Sequence, residues 1–241
     1  MMHKTSEFHP DIYGIALMDH YRGIQKEPLY LYTQDSPDME IMPLDLFFRD
    51  MEAFPDIEQI ALALCDGKVL DVGAGAGSHS IYLQDKGFDV TALELSPLAA
   101  KVIESRGVRQ VIQKDIFQYR EQKYDTLLLL MNGIGLVESI EGLHRFLAHA
   151  ENLLNPGGQL LFDSSDVTYF YTEGLPKWGP YFGEIRFQYE YQGMKGAPFH
   201  WLYIDQATLI KVGHDRGWVV QILDEDDHFQ YLARMERAHN V

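Results

Sequence analysis

The run Val69-Leu70-Asp71-Val72-Gly73-Ala74-Gly75-Ala76-Gly77-Ser78 places an acid and three alternating glycines at the end of an apolar stretch. Glycines in such a turn permit positive φ and let the backbone approach a ligand with no Cβ in the way. A helix opening at Ser78-His79-Ser80 would aim unpaired N–H groups and positive dipole potential at the same place. Glu94 stands 21 residues after Gly73, at the expected end of the next strand. A carboxylate there can accept both hydroxyls of a ribose. These residues together predict a nucleoside-binding crevice.

Spacing narrows the choice of nucleoside. A dinucleotide fingerprint anchored on Gly73 and Gly75 would need glycine or alanine at Ser78, and one anchored on Gly75 and Gly77 would need it at Ser80. Neither fits, so the register is Asp71-x-Gly73-x-Gly75-x-Gly77. That pattern resembles motif I of the class I S-adenosylmethionine-dependent methyltransferases. The likeness continues through Glu94-Leu95, Gln113-Lys114-Asp115-Ile116, the apolar run Tyr124 to Met131 leading into Asn132-Gly133, and Asn155-Pro156-Gly157-Gly158. The resemblance implies S-adenosylmethionine as cofactor, with Asp71, Gly73, Ala74, Gly75 and Gly77 among the residues that bind it. It implies Glu94 at the ribose and Asp115 at the adenine amino group, with Leu95, Ile116, Met131 and Asn132 also among the cofactor-binding residues. Asp71 could organise the N–H groups of the loop or contact the methionine ammonium. Arg49 is either a solvated helix residue or, as the resemblance implies, a guanidinium for the methionine carboxylate, to which its planar fork is suited.

These residues need a frame of alternating strands and helices. Strands are expected near 68–72, 89–95, 108–113, 124–131 and 159–164, with helices near 78–86, 97–106 and 138–154. Ser96-Pro97 supplies a cap and a first-turn proline to the second helix, and Gly107 ends it. Alternation of this kind predicts a parallel sheet with right-handed crossovers. The resemblance implies a Rossmann-like α/β fold whose seven-stranded mixed sheet has order 3-2-1-4-5-7-6. Residues 1–64 read as an N-terminal helical cap, with helices near 11–23, 44–53 and 56–64 and a loop over 27–37. Residues 65–241 read as the methyltransferase domain. Within it, 164–204 forms a substrate-covering insertion containing a β-hairpin, because Glu184 to Gln192 alternates polar and apolar residues over nine positions and can pair with 199–204.

Composition bounds the function. The 241 residues include 20 basic and 36 acidic side chains, a net charge of −16. That balance opposes nucleic acid as substrate, since phosphate binding relies on basic surface. No apolar run is long enough for a membrane span, and Met1 to Glu7 leads into no apolar signal core. The single cysteine, Cys65, allows no internal disulfide and suggests a cytoplasmic setting. His144 and His149 lie five apart on an expected helix and share no face, so no metal is expected.

The reading is therefore methyl transfer from S-adenosylmethionine to an unidentified small-molecule acceptor. Asp163, Asp166, Tyr169 and His200 are candidate bases by position. Aromatic residues between Tyr169 and Tyr203 are expected to line the acceptor site, Tyr181 among them; covering the sheet is their other possible role. A non-catalytic S-adenosylmethionine-binding sensor or regulatory protein is the main alternative. An aminopropyl transferase would use a similar crevice, and Ser78 and Ser80 disfavour a nicotinamide enzyme.

Overall fold

The computed structural model describes residues 9–33, 39–172 and 174–238. The opening Met1 to Glu7 stretch, part of the expected 27–37 loop and the last three residues of the 65–241 unit lie outside these described residues. Helix α1 (Ile12–Tyr21) is followed by strands β1 (Leu29–Thr33) and β2 (Met39–Met42). Two 3-10 turns, Leu44–Phe47 and Met51–Ala53, then lead to α2 (Asp56–Ala63). Strands β3 (Lys68–Val72), β4 (Asp89–Glu94), β5 (Val111–Gln113), β6 (Tyr124–Leu129) and β7 (Leu154–Ser165) come next. Helices α3 (Ser78–Asp85), α4 (Pro97–Ser105) and α5 (Ile140–Leu153) lie between them. After β7 come β8 (Glu184–Tyr191), β9 (Met194–Lys195), β10 (Phe199–Leu202), α6 (Gln206–Asp215), β11 (Trp218–Glu225) and β12 (Gln230–Arg237).

The principal sheet has order β11-β12-β7-β6-β3-β4-β5. Numbered within that sheet from β3, this is 3-2-1-4-5-7-6. Strands β3 to β7 pair in parallel, and β12 runs antiparallel to both β7 and β11. The leucines of β6 explain its central place. Leu127 and Leu129 enter the core beneath α5, while Leu128 enters the core beneath α2 and α3, all three wholly buried. A continuous apolar run is what a strand covered on both faces requires.

The expectation of a helical N-terminal cap is corrected by a second sheet. Its order is β10-β8-β1-β2, with β9 pairing on β8. Tyr30-Leu31-Tyr32, expected in a loop, pairs with Glu190-Tyr189-Gln188 across about 160 residues of chain. Its other edge pairs with the nearby four-residue β2, and strands this short carry no clear periodicity of their own, so the aromatic content is the one propensity signal available. The hairpin expected after the fifth parallel strand is present, with Phe199 opposite Phe187 and Leu202 opposite Glu184.

Helix α1 is tied to the principal sheet at a shared junction. Asp11 caps α1 by accepting from the Gly14 amide at 3.0 Å. The same carboxylate accepts from Ser96 Oγ at 2.7 Å, and Ser96 itself caps α4 by accepting from the Ala99 amide. Ile12, Ala16 and Leu17 then pack with Leu44, Ala99, Val102 and Tyr191. The segment thus lies over the carboxyl ends of β3 and β4, where open parallel sheets bind ligands.

Candidate active site

A cavity of about 880 Å³ opens at these carboxyl ends. Of the expected cofactor residues, Asp71, Gly73, Ala74, Gly75, Glu94, Leu95, Asp115, Ile116, Met131 and Asn132 line it. Gly77 and Arg49 do not.

The glycine loop and Glu94 are built against each other. Glu94 Oε2 accepts from the Gly75 amide at 2.9 Å, and Oε1 accepts from the Ser96 amide at 2.9 Å. Burial nevertheless pushes this carboxyl up to about 7, against those two amides. It faces the cavity with lone pairs left for further donors. Gly75 has φ +61°, and a Cβ there would lie 3.1 Å from Tyr13 Oη and 3.3 Å from Phe47 Cδ1. Both the turn and the cover therefore demand glycine. Gly77 serves a different purpose. A Cβ at its φ of +84° would meet Ile103 Cγ2 at 3.0 Å, so this glycine lets the loop close on α4.

Asp71 is buried beneath the loop and accepts from Ser80 Oγ at 2.6 Å. Burial raises its pKa, and His79 and Ser80 oppose that rise. Asp115 caps the 3-10 turn Ile116–Gln118 by accepting from the Phe117 amide at 2.8 Å.

At the end of β6 the chain adopts left-handed conformations at Met131 (φ +62°) and Asn132 (φ +55°), which is why the strand stops two residues short of expectation. Consecutive non-glycine residues in this region persist only where surroundings over-determine them. Asn132 is so held. Its amide donates to Asp163 Oδ2 at 2.8 Å, its Oδ1 accepts from Ser165 Oγ at 2.9 Å, and its carbonyl accepts from Trp201 Nε1 at 3.0 Å. Asp163 is wholly buried, and burial pushes its carboxyl up to about 6.

Arg49 is placed elsewhere than the sequence suggested. Its guanidinium donates to Glu58 Oε1 at 2.6 Å, and Glu58 Oε2 meets His79 Nε2 at 2.8 Å. Glu58 is buried, and a buried carboxylate takes its nearest cation. Burial raises the Glu58 carboxyl, but His79 and Arg49 together hold it below the usual range. His79, which lines the cavity, is the member of this chain of contacts that reaches the site.

The candidate bases separate cleanly. His200 lines the cavity, whereas Asp163, Asp166 and Tyr169 are not on its wall. Asp163 positions Asn132, Asp166 accepts from the Thr168 amide at 2.8 Å, and Tyr169 stacks on Phe229 at 5.7 Å. The aromatic stretch 169–182 also stays off the wall. Trp178 is 92% exposed, and Tyr181 donates to Asp205 Oδ2 at 2.6 Å. The wall is built instead by Phe187, Tyr189, Phe199, Trp201 and Tyr203 from the second sheet and its exit, with Tyr13 and Phe47 from the N-terminal segment. The alternation of 184–192 already set Phe187 and Tyr189 on one face. Tyr13 gave no such signal, because its partners lie on distant strands.

A sequence profile described as a methyltransferase domain matches residues 47–221. The chain belongs to this methyltransferase family. A solved relative, an S-adenosylmethionine-dependent methyltransferase from Bacteroides fragilis in complex with S-adenosyl-L-homocysteine, is 37% identical over 95% of each chain, with a TM-score of 0.88. The ubiquinone biosynthesis O-methyltransferase of Xanthomonas oryzae is 29% identical over 120 residues, covering 47% of this chain and 49% of its own. A glycine/sarcosine N-methyltransferase from Aphanothece halophytica is 24% identical over 152 residues, 58% of this chain and 57% of its own. The chain thus spans about half the length of the curated methyltransferases it matches. Among the described residues, no helix is long and apolar enough to cross a membrane.

Proposed function

We propose that this methyltransferase domain moves a methyl group from S-adenosylmethionine to a small molecule held in the same cavity. The observation that carries the reading is the contact between Glu94 and the Gly75 amide, which sets a buried carboxylate beside a glycine cradle. The residues fit the cofactor. Glu94 can accept a ribose diol, Asp115 can accept an adenine amino group, and Gly75 brings backbone without a side chain to the cavity wall beneath Tyr13 and Phe47. The Bacteroides fragilis relative was solved with S-adenosyl-L-homocysteine, which supports the same ligand here. The curated relatives include an oxygen and a nitrogen methyltransferase, so they leave the acceptor open.

When bound, the cofactor supplies a methyl group on a sulfonium, whose departure as a neutral thioether makes the reaction an in-line displacement. The chain's own task is then alignment, and holding two reactants in register is worth on the order of 7–11 kcal/mol at best. Tyr13 and Phe47 exclude water above the glycine loop. Asn132, fixed by Asp163, Ser165 and Trp201, gives a rigid wall at the end of β6. His200 is placed to take a proton where the acceptor must lose one. We assign residues 65–241 to the transferase unit, with 1–64 and part of 164–204 closing the cavity. The acidic composition favours a small acceptor over nucleic acid, and the lone cysteine favours a cytoplasmic setting.

Calorimetric titration with S-adenosylhomocysteine and with NAD tests the cofactor, and tighter NAD binding would overturn it. Incubation with S-adenosylmethionine and a metabolite library tests the transfer. Binding with no S-adenosylhomocysteine released above the blank would favour the sensor reading.

A further inference from the structure

Six aromatic rings line one side of the cavity, and five of their pairwise contacts join them into one continuous wall. Tyr13 stacks on Tyr189 with centroids 5.8 Å apart and planes at 22°. Tyr189 meets Phe199 at 5.0 Å, and Phe199 meets Phe187 at 6.0 Å and Trp201 at 6.2 Å. Phe187 meets Tyr203 at 6.3 Å. The wall begins over Gly75, where the Tyr13 hydroxyl sits, and ends at Asn132, whose carbonyl holds the Trp201 indole.

Several carboxylates stand close to this wall. Tyr13 feels Glu94 and Asp11, Tyr189 feels Glu94, and Tyr203 feels Glu40 and Asp163. Of the four basic side chains lining the cavity, Lys114 is matched to Glu121 and His79 to Glu58, His200 lies exposed on β10, and His9 stands at the N-terminal rim. Ring faces carry negative potential and attract organic cations, most strongly when solvent is excluded. Acidic neighbours at longer range strengthen that preference. A neutral or anionic acceptor would gain nothing from this field.

We propose that the aromatic wall recognises an amine, so that the methyl acceptor of this site is a nitrogen that carries positive charge as product. The inference rests on the methyl-transfer reading above and deepens it. The amine nitrogen attacks as the free base. Its lone pair forms the new nitrogen–carbon bond, the carbon–sulfur pair remains on sulfur, and the positive charge passes to nitrogen. A proton brought in on the amine leaves first, to His200 or to water at the mouth, and the product ammonium loses its own proton after release. The rings and acids stabilise the charge as it arrives on nitrogen, so they bind the transition state more tightly than the neutral amine.

The test uses the full chain saturated with S-adenosylhomocysteine, titrated calorimetrically with choline and with its uncharged isostere 3,3-dimethyl-1-butanol. Choline is expected to bind at least about tenfold more tightly, the factor that a desolvated cation–π contact confers. Phe187→Leu and Phe199→Leu should abolish that preference while changing S-adenosylhomocysteine affinity by less than about threefold, since neither ring touches the glycine loop or Glu94. Equal binding of the two probes to the unmutated chain would overturn the proposal, and that comparison needs no variant to fold. So would a chain that binds S-adenosylmethionine far more tightly than S-adenosylhomocysteine yet ignores choline, because the wall would then serve the cofactor's own sulfonium. Turnover of p-cresol in place of benzylamine would assign the wall to a stacked phenol instead. A chain that takes up no S-adenosylhomocysteine overturns the methyl-transfer reading itself, which is a separate result.

Discussion

Glu58 meets His79 Nε2 at 2.8 Å while its other oxygen accepts from Arg49 at 2.6 Å. Because Glu58 is held below the usual carboxylate range, it is ionised near neutrality and His79 must donate through Nε2. One buried acid on α2 thereby fixes both the link between the two 3-10 turns, where Arg49 stands, and the first turn of α3. Glu58→Gln should destabilise the fold by about 3–5 kcal/mol in urea denaturation, the cost of breaking a buried ion pair. A carboxyl with a depressed folded pKa contributes stability above its unfolded value, lost as pH falls through the folded one. The unmutated chain should therefore weaken in acid below about pH 4, and the variant should lose that part of the acid dependence.

Arg49→Ala separates the two roles considered for this arginine. Off the cavity wall, it should cost stability and leave S-adenosylhomocysteine affinity within about threefold, since only contacts in the first layer carry large binding effects. A selective loss of S-adenosylhomocysteine with adenosine binding unchanged would restore the carboxylate clamp.

The pH dependence of cofactor binding should report Glu94. Its carboxyl is raised to about 7 in the ligand-free fold, so it contributes stability that is present at low pH and lost as pH rises through 7. Ribose hydroxyls donate to the ionised form and bind it preferentially. Affinity for S-adenosylhomocysteine should accordingly rise with pH by up to about tenfold per unit below 7, with release of a proton, and level off above it. Glu94→Gln should flatten the profile, and calorimetry in buffers of different ionisation enthalpy would count the proton.

Gly75→Ala places a methyl group where φ is +61° and Tyr13 Oη lies 3.1 Å away. The backbone penalty alone is about 1–2 kcal/mol, and the new methyl projects into the cofactor cradle. Thermal denaturation should show a modest loss, and titration with S-adenosylhomocysteine a loss of at least about tenfold, for which 1.4 kcal/mol suffices. Equal affinities would mean that the cofactor does not use this loop.

Tyr181→Ala should unsettle the fold ahead of the chemistry. Its hydroxyl donates to Asp205 Oδ2 and accepts from the Asp205 amide at 2.9 Å, so it braces the start of α6. A loss of about 2–4 kcal/mol is expected from the missing ring and hydrogen bonds together. Cofactor affinity per folded molecule should stay unchanged, and Tyr181→Phe should recover most of the packing.

The parallel sheet was legible because its signals are local. Asp71 through Gly77 encode a strand, a turn and a helix start within ten residues, and Leu127 to Leu130 advertise a strand buried on both faces. The second sheet was not legible in its N-terminal half. Tyr30-Leu31-Tyr32 is held between the short β2 on one side and β8 on the other, and no window of sequence contains all three strands. Arg49 was misplaced for a related reason. Its type suited a carboxylate, but which carboxylate is decided by Glu58 on the next helix, a choice that residue type does not encode. Tyr169 and Trp178 looked like pocket residues from composition alone, yet composition does not distinguish a ring facing a cavity from one facing solvent.

The pairing of Tyr30 with Glu190 has a consequence for the order of assembly. A chain made from its N-terminus exposes β1 long before β8 has been synthesised. Closing a loop of that length carries an entropic cost that only the finished second sheet can repay. The Rossmann-like portion can draw its early strands together while the edge of β1 is still without its partner. Tyr13 stacks on Tyr189, a residue of that same late strand. The aromatic wall of the cavity is therefore a late product of biosynthesis, and a ribosome stalled before residue 184 would hold a glycine loop and a buried acid beneath Tyr13 and Phe47 but without the rings of β8 and β10.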